Sequence, residues 1–521
     1  METGSIARSR SVQRLGLAAW LLASKRIFAW LEIEVWLIYM YGSYILWLLK
    51  KPRRDIPYGL IFNLNIQYSR FFQHQVFCCG SDPYRELGNV MVRLTMKCLT
   101  VLVTTTIVML GSLANADPIS LSPDGQKASA PDIAVNLKGD IAVLWVDRSP
   151  QEKPGNGAHH HDRHLAVTDV YVSISKDGGN TFSAPTKVNA SSGAVWGQQV
   201  SRPRIVGTPN GTWHVAYSAN DIHPTLNKTL LTTHYTRSID GGQSFEAPKR
   251  LSSVTGQDMS DVIHGGFASA AAFGTMASAP DGSVHVYWVD TRHMKPDSDS
   301  GALYGSTSRD DGQTFTADKQ LFDTSVCPCC QLTAVANSRS EVVLGSRRVE
   351  KDSFRPATVM TLSHKDETIL DRQSIGGAPW QINGCPLKPT VVALHGKNVF
   401  AAVHNGGETT PGVIFSVSND EGKSFKPLGI VQPDAAVSDA PTITVNGSRV
   451  LLAWHAKLGS APRRVYYRFY NLSGEPMGEI RELNSGSGTS QFPVAAARSD
   501  GRFQLLWQQA DRIWSTTLSD K

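Results

Sequence analysis

One eight-residue phrase occurs four times in this chain, and that repetition limits what the chain can fold into. It reads Ser175-Lys-Asp177-Gly-Gly179-Asn-Thr-Phe182, Ser238-Ile-Asp240-Gly-Gly242-Gln-Ser-Phe245, Ser308-Arg-Asp310-Asp-Gly312-Gln-Thr-Phe315 and Ser418-Asn-Asp420-Glu-Gly422-Lys-Ser-Phe425. The shared pattern is Ser-x-Asp-x-Gly-x-x-Phe. Its Asp can accept hydrogen bonds from the N–H groups of a tight turn, and its Gly supplies a positive φ without steric cost. The Phe follows the turn, placed to pack back between sheets. Four copies between strand-like runs mean that one supersecondary unit has been repeated.

The strands mark the same unit more often than the turn does. Seven similar runs recur: Ile141–Asp147, Trp213–Ser218, Val284–Asp290, Val342–Arg348, Val399–Asn405, Val450–Ala456 and Phe503–Gln509. Most follow a leader strand that starts at a Pro, as at Pro131, Pro203, Pro389, Pro441 and Pro493, and most precede a third strand, the repeated turn and a fourth strand. Degenerate turns occur around Ser363 and Asn471. Each unit therefore reads as a four-stranded antiparallel meander, one blade of an all-β propeller. The count predicts seven blades, with six as the alternative. The last unit has only three strands, and Pro118–Ser122 resembles the missing fourth, so pairing the two ends would close the ring and leave no open sheet edge.

The net charge of +6 is not a property of the repeats. Residues 1–116 carry 13 of the 51 Lys and Arg but 6 of the 45 Asp and Glu, which leaves residues 117–521 at a net of −1. Nothing in the main body recommends a nucleic-acid binder. Residues 91–116 read as a secretory signal, with Arg93 and Lys97 before an apolar run that closes on Ala114-Asn-Ala116. Cleavage there would start the propeller domain, 117–521, at Asp117 and place it in the periplasm or outside the cell. Residues 1–90 are either translated upstream sequence or a membrane anchor at residues 27–49, the latter weakened by Glu32 and Glu34.

Propeller topology sorts the polar residues. Second strands end, and first strands begin, on one face, called upper here; the repeated turns lie on the other. The upper face should collect Arg202 and Arg204 at a first strand, and Asp221, Asp290, Arg292, His293, Arg347, Arg348, His404 and His455 at second-strand ends. Together they form a candidate site for a small molecule or glycan. A His-rich loop, His159–His164, should lie nearby.

The upper face also collects Cys327-Pro-Cys329-Cys330 and Gly384-Cys385-Pro386, at the first strands of adjacent blades. Cys385 could reach Cys327 or Cys329. The four cysteines could form one or two disulfides, hold copper or zinc as thiolates with help from His264, His404 or His455, or serve a redox role.

The repeated phrase resembles the Asp box, or BNR repeat, of sialidase-like β-propellers. That resemblance implies the propeller fold and an acidic-sugar hydrolase, the exo-α-sialidase type. Such an enzyme clamps a carboxylate with three arginines and attacks with a Tyr partnered by Glu. The blade that should carry the first arginine instead reads Ser129-Ala-Pro-Asp-Ile. The nearest substitute is Ser201-Arg-Pro-Arg-Ile205, one blade later. Tyr466, Tyr467 and Tyr470 are candidate nucleophiles with no evident Glu partner. The cysteine phrases resemble those of exported BNR-repeat proteins of uncharacterised activity. The leading expectation is an exported propeller that binds a ligand on its upper face, with hydrolysis of an acidic sugar, or a protein-interaction scaffold, as alternatives.

Overall fold

A computed structural model describes residues 118–519 apart from 150–166, 223–228, 255–270, 295–299, 338–340, 364, 366, 379 and 408–410. The signal segment, the anchor candidate at residues 27–49, the His159–His164 loop and His264 lie outside the described residues. Among the described residues, no helix is long and apolar enough to cross a membrane.

Seven four-stranded antiparallel sheets follow one another, each strand paired with its sequence neighbour. Their second strands are Ile141–Asp147, Trp213–Ile222, Val284–Asp290, Glu341–Arg347, Asn398–Asn405, Arg449–Lys457 and Phe503–Gln509. Six match the sequence reading to within a residue at either end. The second runs to Ile222 rather than Ser218, because it pairs without a break with Thr229–Ser238, from Trp213↔Ser238 to Ile222↔Thr229. The seventh blade borrows its outer strand: Ile119 pairs with Ser515 and Ser120 with Trp514, and Leu121 N–H donates to the Ile513 carbonyl at 2.8 Å. The chain is a seven-bladed β-propeller closed by its own two ends.

The second strands are apolar throughout because they lie inside a blade, with a neighbouring blade against each face. Trp145, Trp288, Trp454 and Trp507 occupy the same position in four of them and are fully buried. Each indole N–H finds a side-chain acceptor: Gln126 at 3.0 Å, Asp290 at 3.1 Å, Gln432 at 2.7 Å and Gln509 at 3.2 Å. Large aromatic area is thereby buried without orphaning a donor.

The four repeated turns share one hydrogen-bond pattern. In the first, Ser175 Oγ donates to Asp177 at 2.8 Å and accepts Gly179 N–H at 2.7 Å, while Thr181 donates to Asp177 through N–H and Oγ1 at 2.9 and 2.6 Å. These bonds hold the Asp177 carboxyl at about 2, below the usual carboxylate range. Phe182, Phe245, Phe315 and Phe425 each pack against an apolar cluster. The boxes are structural, on the face away from the candidate site.

First strands are less regular. Four carry a bulge near their upper ends, at Ser129/Asp132, Ala272/Thr275, Asp439/Thr442 and Gln491/Val494. Within each bulge a residue other than glycine takes a positive φ: Ala130 (50°), Phe273 (55°), Ala440 (48°) and Phe492 (55°). Three of these precede a proline, where the chain is further restricted.

Candidate functional site

The candidate arginines separate into braces and one exception. Arg292 is committed: it grips Asp290 through Nε and Nη2 at 2.9 and 2.7 Å, reaches Asp318 at 2.6 Å and Ser253 Oγ at 3.0 Å, and stacks 4.3 Å above the Tyr304 ring. Asp290 is consumed by the same contacts. Arg347 is fully buried and donates to three main-chain carbonyls, Arg355 at 2.7 Å, Lys388 at 3.1 Å and His404. It joins blades 4 and 5. Arg348 pairs with Glu350 at 3.1 Å and lies over Phe322. Asp221 sits inside its strand, held by Thr232 at 2.6 Å, His234 at 3.3 Å and Arg250 at 3.7 Å. His293 is exposed.

Arg202 differs. It is 9% exposed, its Nε is sealed from solvent, and no hydrogen bond from its guanidinium is formed among the described residues. Its charged neighbours are Arg204 and Asp132; burial first, then Arg204, push its guanidinium down to about 10, so it stays charged at neutral pH. Asp132 faces both arginines, with Arg204 Nε at 3.5 Å, and also accepts Ile205 N–H at 3.0 Å. Two cations, one buried and one partly exposed, against one carboxylate leave the pair with an excess positive charge. Gln331 fixes the main chain here, donating to the carbonyl of Arg202 at 2.7 Å and of Gly274 at 3.3 Å, and so ties blades 2, 3 and 4 together.

Blades 4 to 6 bring a second group together. Lys388 forms an ion pair with Asp439, and His455 Nε2 lies 4.0 Å from the same carboxylate. His455 accepts the Phe492 N–H on Nδ1 at 3.1 Å, and burial pushes it down to about 3, so it is neutral. His404 donates Nδ1–H to the Ser438 carbonyl at 2.7 Å, and burial lowers its pKa as well. Burial pushes Asp439 up, but the Lys388 charge outweighs it and holds the carboxyl below its usual value.

The cysteines converge. Cys329 pairs with Cys385 as a disulfide, and Cys327 and Cys330 are buried thiols with their sulfurs 2.8 Å apart. Burial pushes Cys330 up, but the Cys327 thiol, the Arg347 charge and the N–H groups of Lys388 and Leu387 outweigh it and bring it to about 7. Cys327, which donates to it, is pushed well up. The sulfurs of Cys327, Cys329 and Cys385 lie within 4.8 Å of one another, and no imidazole or carboxylate belongs to that group among the described residues. Neither His404 nor His455 belongs to that group, so a copper or zinc ion here would be held by sulfur, with two of the four sulfurs paired to each other.

Sequence reasoning missed Asp132, Gln331, Lys388 and Asp439. Asp132 and Asp439 lie in bulged strands; the only sign of the bulges was the recurrent Ala-Pro and Phe-Pro at the start of the first strands. It also missed the partner of Tyr466, whose hydroxyl donates to Glu482 at 3.2 Å across the third and fourth strands of blade 6. Burial, then Glu482, push that phenol up to about 12.

No protein-family model matches the chain, and no curated protein does. Solved structures do. A protein of unknown function from Dyadobacter fermentans is 15% identical over 78% of this chain and 98% of its own, with a TM-score of 0.45. An ulvan lyase bound to a GlcA–Rha3S oligosaccharide is 12% identical over 78% and 96%, at 0.47. A Hadza microbial sialidase is 14% identical over 68% and 73%, at 0.43. The structural neighbours thus include sialidases and other propeller enzymes that act on sugars.

Proposed function

We propose that the protein binds an anionic small molecule, an acidic sugar, on its upper face, with Arg202 and Arg204 as the anion contacts. One observation carries this reading: a buried, charged guanidinium whose Nε has no hydrogen-bond partner and whose other nitrogens make no hydrogen bond among the described residues. Leaving such a group unpaired costs several kcal/mol, and a carboxylate or sulfate presents the two oxygens that its planar fork matches. The Asp-box resemblance supplies the sugar; the arginine supplies the acid. Titration calorimetry on the full chain tests it with glucuronate and N-acetylneuraminate, and with glucose as the neutral control. Binding of the acids, absent for glucose and lost in Arg202→Met, is expected. Equal binding of acid and neutral sugars, or an Arg202→Met variant that binds like the parent, would overturn it.

The Tyr466–Glu482 hydrogen bond favours a second reading, hydrolysis of a sialoside. Against it, Arg292 and Arg347 are spent as braces and do not complete a three-arginine clamp. Release of a fluorophore from a sialoside, abolished in Tyr466→Phe, would establish hydrolysis; no release sinks it.

A further inference from the structure

Four sulfurs meet at the junction of blades 3, 4 and 5 in two different states. Cys327 and Cys330 form a Cys-x-x-Cys pair with both thiols buried, while the Cys329–Cys385 disulfide is partly exposed. The thiol sulfurs, at 2.8 Å, stand inside van der Waals contact, so closing them into a bond needs a shift of under about 1 Å. Cys327 also lies within 4.8 Å of both disulfide sulfurs. The main chain favours charge on Cys330, since the N–H groups of Leu387 and Lys388 point at its sulfur and Arg347 lies beside it. Structural disulfides do not need a second buried thiol pair against them. A pair that exchanges with them does.

We propose that these cysteines form a thiol–disulfide relay, in which the partly exposed Cys329–Cys385 pair exchanges electrons with an external disulfide and the buried Cys327/Cys330 pair is the internal dithiol. The internal step balances without outside electrons. Cys327 passes its proton to the Cys330 thiolate and attacks the Cys385 sulfur, forming a Cys327–Cys385 bond and expelling Cys329. Cys385 is the favoured target because it comes from a separate loop, whereas a Cys327–Cys329 bond would close a small strained ring. Cys330, deprotonated again, attacks Cys327, forming Cys327–Cys330 and expelling Cys385. The two protons end on Cys329 and Cys385. That pair then reduces an external disulfide: the Cys329–Cys385 bond re-forms, the external S–S bond breaks, and its two sulfurs leave as thiols with the two electrons and two protons.

Oxidised glutathione is a sufficient probe. The full chain, with Cys327 and Cys330 confirmed as free thiols by alkylation and peptide mapping, is treated with oxidised glutathione, quenched in acid, alkylated and mapped by mass spectrometry over the peptides that carry these four cysteines. The expected product carries Cys327–Cys330 and Cys329–Cys385 together, with two equivalents of reduced glutathione released. Cys327 and Cys330 left open to alkylation, glutathione retained on any of the four cysteines, or a stoichiometric metal ion blocking the thiols would each overturn the relay. A Cys329→Ser/Cys385→Ser double variant removes the conduit and leaves the buried pair, so its oxidation should slow by about tenfold or more. Oxidation at the parental rate would show that the buried pair reacts directly and that no relay exists. Should the variant not fold, alkylation of the untreated parent at neutral pH decides: internal exchange places part of the label on Cys329 and Cys385, and label confined to Cys327 and Cys330 would overturn the relay.

Discussion

Replacing Arg202 and Arg347 by Met, one at a time, should move stability in opposite directions, although both are buried arginines on the same face. Among the described residues Arg202 makes no side-chain hydrogen bond and shares Asp132 with Arg204, so Met removes an undercompensated buried charge and keeps most of the apolar stem; a gain of about 1–3 kcal/mol is expected. Arg347 satisfies three buried carbonyls, and losing those bonds at about 1–1.5 kcal/mol each costs about 3–5 kcal/mol. For a domain of about 400 residues the unfolding entropy at the midpoint is roughly 0.8 kcal/mol per degree. Arg202→Met should therefore raise Tm by about 1–4 °C and Arg347→Met lower it by about 4–6 °C. Thermal unfolding followed by tryptophan fluorescence reads both, since the buried tryptophans report on the blades. Glucuronate at a hundred times its dissociation constant should add about 2.7 kcal/mol to the parent, roughly 3 °C, and nothing to Arg202→Met. If Arg202→Met fell in Tm as Arg347→Met does, Arg202 would be another brace, and the binding proposal would lose its ground.

Two further outcomes test the scaffold. Asp311 accepts Thr208, Asn210 and Thr212 at 2.9, 2.7 and 2.7 Å, with His214 Nε2 at 3.3 Å; these outweigh burial and hold its pKa below the carboxylate range. A depressed folded pKa gives stability that is present above pH 4 and lost as pH falls toward that value. Asp311→Asn should thus cost about 1–2 kcal/mol at pH 7 and progressively less as pH falls below about 4 in urea unfolding, and an equal cost at pH 7 and at about pH 2 would contradict the assignment. A chain beginning at Asp117 should keep the parental Tm, whereas one beginning at Asp124 loses Ile119 and Ser120 from the seventh blade and should melt lower; identical melting of the two would refute closure by that strand.

The blades were legible because both of their signals are local. A turn that needs Asp, Gly and a following hydroxyl writes those residues within eight positions, and a strand packed between two blades must be apolar along its length. The site was legible only as a face. Which arginine is spent depends on acceptors far along the chain: Asp318, 26 residues beyond Arg292, or the carbonyls of Lys388 and His404, 41 and 57 beyond Arg347. Arg202 and Arg347 look alike in sequence because neither acceptor nor its absence is written beside them. The extended second strand of blade 2 was missed for a related reason: its length is set by its partner, and Asp221 consequently lies within a sheet instead of at its rim.

The bulges explain why the unusual chemistry lies on the upper face. A non-glycine residue at positive φ costs on the order of 1 kcal/mol or more, and four first strands accept that cost at equivalent places. Each is repaid by a contact to a neighbouring element. After Ala130, Asp132 takes the Ile205 N–H of the next blade; Phe273 offers its carbonyl to Leu332 N–H at 3.0 Å; Asp439, before Ala440, meets Lys388; and Phe492 N–H reaches His455. Below the bulges the first and second strands pair in regular register, down to Val135↔Ile141 and Ala497↔Phe503. Regular pairing would have turned these side chains back into their own sheets. Giving it up at one end of the channel sends Asp132 toward two arginines and Asp439 toward a lysine and two histidines. The backbone irregularity and the concentration of charge are therefore one feature, and both point away from the boxes that build the ring.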